Sequence, residues 1–144
     1  MKVREIMSNR VLSLRHNDTV LQAAELLCKN NVGSLPVITD GELVGIITDR
    51  DIVLRCVAGR CDASQMRIGE IMSTRLVTIN PEDSINTAMT VMAQNKVRRL
   101  PVTEGTRVVG MLSLADVARA TTSEKLSETV AEISGPNKPR SLAN

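Results

Sequence analysis

The stretch "GIITDRDIV" (residues 45–53) runs an apolar, β-branched segment into Thr48, Asp49, Arg50 and Asp51 before turning apolar again. Sixty-five residues later, "GMLSLADVA" (110–118) sets Gly110, Ser113 and Asp116 at the same spacing. One G-x-x-[ST]-x-x-D arises readily by chance, whereas two at a fixed offset point to a duplicated unit. With residue n set against n+65, residues 3–53 match 68–118 without a gap, with fifteen identities over the fifty-one positions. They include "EIMS" (5–8 and 70–73), Asp18/Asp83, Ala23/Ala88, Asn30/Asn95, "LPV" (35–37 and 100–102), "VG" (44–45 and 109–110) and Asp51/Asp116. An internal repeat of this length is one supersecondary unit used twice.

Each copy reads as β-α-β-β-α behind a short helical lead-in, "VREIM" (3–7) or "IGEIM" (68–72). "RVLSL" (10–14) and "RLVTI" (75–79) are short apolar or β-branched runs and are predicted strands. Helical spacing follows over 18–30 and 83–95. Val20, Ala23, Ala24 and Leu27 make one stripe, and Ile85, Ala88, Met89 and Met92 its counterpart. Asp18 and Asp83 stand where N-caps are wanted. Pro36 and Pro101, without an N–H, belong at the start or edge of the strands "SLPVI" and "RLPVT". A hairpin then leads into a third strand, and a helix opens at Thr48 or Ser113. The expected fold class is α+β. It comprises a first domain over 1–60 (core 3–53), a second over 61–121 (core 68–118), a peripheral helix over 122–134 with Leu126, Val130 and Ile133 on one face, and a flexible tail over 135–144. A unit of about 50 residues buries too little surface to be comfortable alone. The two copies are therefore expected to pack face to face about a pseudo-twofold axis around a shared core.

Composition narrows the function classes. The chain has 144 residues, a net charge of +2 and no Phe, Tyr or Trp. Neither an anionic membrane nor a nucleic acid is expected as partner, because charge is low and the aromatic stacking platforms of single-strand and RNA binders are missing. No apolar run is long enough to span a bilayer and no signal segment opens the chain, so a cytoplasmic location is expected. Three cysteines, Cys28, Cys56 and Cys61, are an odd number and fit reduced thiols. Seven methionines suit an adaptable core.

The repeated motif fits two readings. In the first, Thr48-x-x-Asp51 and Ser113-x-x-Asp116 are capping boxes, with the hydroxyl accepting from the N–H three residues on and the carboxylate reaching back. Gly45 and Gly110 then simply permit close packing. In the second, the hydroxyl and free N–H groups of a helix start hold a phosphate. The carboxylate one turn on accepts from a pair of sugar hydroxyls, as an acidic residue does in dinucleotide folds. Phosphate and ribose together describe a nucleotide.

Two β-α-β-β-α copies, each with "LPV" before a hairpin and G-h-h-[ST]-x-x-D at the strand-to-helix junction, resemble a tandem pair of CBS (cystathionine β-synthase type) domains, or Bateman module, over residues 1 to about 120. The resemblance implies adenosine-containing ligands (AMP, ADP or ATP, in some members NAD or S-adenosylmethionine) in clefts between the repeats. It implies Thr48 and Ser113 as phosphate ligands and Asp51 and Asp116 as ribose ligands, with Leu14, Ile79, Pro36 and Pro101 lining an adenine slot. It also implies a homodimer, for which Ala24, Leu27, Met89 and Met92 are candidate contact positions, and an effector protein whose identity the chain does not disclose. The copies differ. Arg98-Arg99 stand where the first copy has Gly33-Ser34, and Asp49-Arg50 where the second has Leu114-Ala115. Guanidinium groups bind phosphate bidentately, so Arg98, Arg99 and Arg50 join the candidate ligands and unequal affinity of the two clefts is expected.

Catalysis is not expected. His16 is the only histidine, in a polar turn, with no partners for a triad or a zinc site. There is no G-x-x-x-x-G-K-[ST] loop. No cofactor is required, and magnesium would enter only with nucleotide phosphates. The alternative is a structural dimerisation scaffold with vestigial clefts.

Overall fold

The computed structural model describes residues 1–121 and 123–135. In the first repeat α1 (Val20–Asn30) leads into β1 (Ser34–Thr39) and β2 (Glu42–Thr48), after which α2 (Asp49–Asp51) runs on as a π-helix over Ile52–Val57. In the second, α3 (Ile85–Asn95), β3 (Arg99–Glu104), β4 (Arg107–Ser113) and α4 (Leu114–Ala118) repeat the order, and α5 (Ser123–Ser134) follows. The tail expected over 135–144 lies, apart from Gly135, outside the described residues. Among the described residues no helix is long and apolar enough to cross a membrane.

Each hairpin is closed by a two-residue turn. Asp40 and Gly41 take φ 54° and 80°, as a turn matching strand twist requires. Both hairpins carry a bulge at the same place, between Val37 and Ile38 and between Val102 and Thr103. They join into one sheet of order β1-β2-β4-β3, held in the middle by the single pair Glu42↔Arg107. The class is α+β, as expected.

The predicted first strands shrink to single residues. Leu14 bridges Val37 and Ile79 bridges Val102, both in parallel. The Leu14 N–H donates to Pro36 O, and the Ile38 N–H donates to Leu14 O. A parallel ladder extended two residues back would need an N–H from residue 36, and proline has none. Pro101 stops the second ladder at Ile79 in the same way. Forward extension ends at the hairpin turn.

The helix caps fall one residue later than expected. Thr19 and Ser84, not Asp18 and Asp83, are the N-caps of α1 and α3. The two aspartates instead close the preceding turns, accepting from the N–H groups of Arg15 and Asn80. Both helices end on a left-handed residue, Asn31 or Lys96.

There is no single shared core. Leu14, Val20, Ala23, Leu27, Ile47 and Cys56 belong to one buried cluster, and Ile79, Ala88, Met89, Met92, Leu112 and Val117 to another. Leu27, Met89 and Met92 are buried inside their own repeats, so of the four positions expected on an outer dimer face only Ala24 is partly exposed. Of the apolar face expected on α5, Ile133 enters the second core while Val130 stays exposed. The helix lies along α3 and α4.

What unites the repeats is an exchange of their lead-ins. Val3 is fully buried in the second repeat's cluster, while Ile68 and Ile71 lie in the first repeat's. The Val3 N–H donates to Asp83 O and the Ile85 N–H to Met1 O; reciprocally, the Ile68 N–H donates to Asp18 O and the Val20 N–H to Met66 O. Further along, Ser8 pairs with Met111 and Ser73 with Ile46 through two backbone bonds each, of 2.8 and 2.9 Å. Lys2 and Arg4 add ion pairs to Glu82. Hydrogen bonds from Lys2, then Arg4, hold the Glu82 carboxyl below its ordinary range. This clamp is therefore complete at neutral pH and weakens only as pH falls through that lowered value.

The lead-in crosses its host strand at the motif glycine. A Cβ on Gly110 would sit 2.8 Å from the Ser8 carbonyl oxygen, and one on Gly45 3.0 Å from that of Ser73. Gly110→Ala should therefore cost about 1–3 kcal/mol in urea unfolding, and more than Gly45→Ala, whose shortest clash is with the movable Met72 side chain. An equal, negligible cost at both positions would refute the crossing. The thiols give a second check. Burial, then the neighbouring Cys61 and Asp62, pushes the Cys56 thiol up, whereas Cys28 is exposed and Cys61 half-buried. Thiol-reactive disulfide reagents should label Cys28 first and Cys56 last, after unfolding; early labelling of Cys56 would contradict its place in the core.

Candidate functional site

The two motifs lie where β2 meets α2 and where β4 meets α4, and their local geometry is nearly the same. Thr48 Oγ1 accepts from the Asp51 N–H at 2.9 Å, and Asp51 Oδ2 accepts from the Thr48 N–H at 3.0 Å. In the second repeat the corresponding distances for Ser113 and Asp116 are 3.1 and 2.9 Å. Both are complete capping boxes. Each leaves one carboxylate oxygen, Oδ1, outside the box.

Those two oxygens differ in their surroundings. Asp116 Oδ1 accepts from Arg119 at 2.5 Å. Asp51 Oδ1 stands 3.9 Å from Arg55 Nε, too far for a hydrogen bond. The Arg55 guanidinium donates instead to the carbonyls of Ile71 and Met72, at 3.0 and 3.4 Å. Arg55 and Arg119 were missed in the sequence, although a basic residue three or four positions after a helical acid is a recognisable pairing.

Register assigns the remaining candidates. Ser34 pairs with Thr48 and Arg99 with Ser113, and directly opposed residues share a sheet face. Ser34 thus stands opposite the first box's hydroxyl residue and Arg99 opposite the second's. Arg98 precedes Arg99; its backbone oxygen accepts from the Leu114 N–H, and its side chain reaches Ser134 of α5 at 3.5 Å. Arg50 is exposed and makes no ion pair among the described residues.

Pro36 and Pro101 are buried within β1 and β3, and Leu14 and Ile79 are buried on the parallel bridges beside them. From Val37, which Leu14 bridges, to Ser34, which pairs with Thr48, is three residues along β1, about 10 Å. Pro36 lies closer, two residues from Ser34 on the same face of β1, about 7 Å, so the polar and apolar candidates follow one another along one hairpin. His16 holds Thr39 Oγ1 at 2.8 Å across the turn. Among the described residues no group of three or more His, Cys, Asp or Glu side chains assembles as a metal site.

Comparison with known proteins places this geometry in a family. The CBS-domain-containing protein YhcV of Bacillus subtilis is 41% identical over 116 residues, covering 81% of this chain and 82% of that protein. A crystal structure of Hypoxic Response Protein I with two coordinated zinc ions superposes with a TM-score of 0.76 at 32% identity, covering 85% of this chain and all of that one. The CBS domain pair of protein MJ0100, in complex with 5′-methylthioadenosine and S-adenosyl-L-methionine, gives 0.71 at 29% identity over 83% of this chain and 94% of that one. The CBS domain family model matches twice, at residues 3–57 and 68–123. The chain belongs to the CBS domain family and carries two such domains in tandem.

Proposed function

We propose that this chain is a regulatory sensor that binds an adenosine-containing ligand between its repeats and passes the binding energy to an effector protein as a change in shape or association. CBS proteins are regulatory rather than catalytic as a class. The observation that carries the reading is the pair of boxes, each with an aspartate oxygen left over beside a capping hydroxyl. Thr48 and Ser113, with Arg99 and more distantly Arg50 and Arg98, would meet phosphate. Asp51 and Asp116 would take the ribose hydroxyls through Oδ1. The apolar patches around Leu14 and Pro36, and around Ile79 and Pro101, further along each hairpin from its box, would take the adenine. The MJ0100 pair, which holds two adenosine derivatives, supports this ligand class. AMP, ADP and ATP are the leading candidates, with NAD and S-adenosylmethionine behind them. Magnesium would arrive only on phosphates. A cytoplasmic homodimer is the proposed setting.

The two sites should not be equal. Arg99 favours a charged phosphate tail at the second box, where a ribose must also compete with Arg119 for Asp116. The first box offers an open Asp51 oxygen and less positive charge.

A scaffold with vestigial clefts is the second reading, favoured by the completeness of both capping boxes within the protein. The variant Asp51→Ala/Asp116→Ala separates the two by calorimetric titration with AMP, ATP and S-adenosylmethionine. A sensor binds at least one of these, and the folded variant loses that heat. A scaffold binds none in either form, and the variant shows only the loss of two box carboxylates and the hydrogen bonds they accept, about 1 kcal/mol each.

A further inference from the structure

The helix that ends the first repeat closes on two cysteines. After the π-helix over Ile52–Val57, the chain turns at Arg60, whose φ is 59°. The Arg60 N–H donates to Val57 O at 3.0 Å, and the Cys61 N–H donates to Cys56 O at 2.9 Å. Two nested bonds around a left-handed residue make a Schellman motif, in which the side chains at the two outer positions often meet. Here both outer positions are cysteines. The second repeat has Thr121 and Leu126 in their place, so the pair belongs to the first repeat alone.

The geometry suits a bridge. Three covalent bonds and the 2.9 Å hydrogen bond separate the two Cα atoms. That holds them within about 7 Å, the limit beyond which a disulfide needs backbone movement. Cys56 Sγ also donates to Cys61 O at 3.6 Å, so its sulfur already lies against the other residue. Cys56 is fully buried, whereas Cys61 is half-buried and packs against the same core cluster. One sulfur is therefore open to a reagent, and the other is screened from reagents but close to the first.

We infer that Cys56 and Cys61 are a redox-active pair, which a low-molecular-weight disulfide converts to an intrachain bridge. The Cys61 thiolate attacks one sulfur of the small disulfide, forming a mixed disulfide and releasing a small thiolate. Cys56 then attacks the Cys61 sulfur, the mixed disulfide breaks, and the second small thiolate leaves with the Cys56 proton. Two electrons pass from the protein to the small disulfide, which ends as two thiols. Burial, then the charges of Cys61 and Asp62, pushes the Cys56 thiol up. Capping Cys61 removes its charge, so Cys56 gives up its proton more readily after the first step than before it. The bridge staples the end of the helix that carries Arg55 to the linker that leads into Ile68 and Ile71. It lies outside both boxes, so the inference does not rest on the proposed ligand.

The test treats the folded full chain with oxidised glutathione, as Cys28→Ser so that the exposed third thiol takes no part. Trypsin cuts after Arg60, between the two cysteines, so a bridge leaves peptides 56–60 and 61–67 joined. The expected product is lighter than the reduced chain by two hydrogen atoms, carries no glutathione and yields the joined peptides. In buffers of reduced and oxidised glutathione, the equilibrium constant for closing the bridge should be about ten-fold or more higher in the folded chain than in urea. A folded chain that also carries Cys56→Ala should retain one glutathione on Cys61. A glutathione that persists on Cys61 beside a free Cys56 would overturn the inference. So would a bridge no more favoured in the folded chain than in urea, or no reaction of either thiol short of unfolding.

Discussion

Four backbone hydrogen bonds, two between Ser8 and Met111 and two between Ser73 and Ile46, hold the rest of this structure in place. Each ties one repeat's lead-in to the other repeat's hairpin, immediately beside the glycine that makes room for it. Because the lead-ins cross, neither repeat owns all of its core. Val3 completes the second cluster, and Ile68 and Ile71 complete the first. The sheet contact between the hairpins is a single pair and would not unite them alone. The duplication is thus made into one cooperative body by exchange rather than by a common core.

The same crossing connects the candidate sites to the far end of the other repeat. Gly45 and Thr48 lie on one strand three residues apart, about 10 Å, so the lead-in crosses the strand that carries the box. Arg55 reaches from the α2 π-helix to the carbonyls of Ile71 and Met72 in that lead-in. In the second repeat Arg119 turns instead to Asp116. One symmetric scaffold therefore carries two chemically distinct boxes, which differ both in where the nearby arginine, Arg55 or Arg119, turns and in the residue opposite the hydroxyl, Ser34 or Arg99.

Much of this was legible in the residues. The fifteen identities announced the duplication, and the hairpins followed from Asp40-Gly41 and Gly105. The hydroxyl and acid spacing foretold both capping boxes. The exchange of lead-ins was not legible, because periodicity within a repeat does not say which copy of "EIMS" meets which "VG". The caps were misplaced because Asp18-Thr19 and Asp83-Ser84 each offer two capping residues in a row, and only the turn geometry chooses between them. The overlong first strands trace to Pro36 and Pro101, whose missing N–H limits the neighbouring ladder as well as their own strands. That α5 packs on α3 and α4 also needed the structure, since α1 and α3 read as equivalent stripes.

The central claim, an adenosine ligand held by the crossed repeats, is tested most directly by what leaves the protein on denaturation. With no Phe, Tyr or Trp, the chain is nearly transparent at 280 nm, so a released base dominates the near-ultraviolet spectrum. The claim predicts an adenine-like absorbance near 260 nm in the filtrate of purified, denatured protein, or a saturable rise in melting temperature when AMP, ADP, ATP or S-adenosylmethionine is added to ligand-free protein, with mass spectrometry naming the species. A clear filtrate together with no thermal shift at millimolar ligand would contradict it and leave a scaffold whose boxes serve only to cap helices.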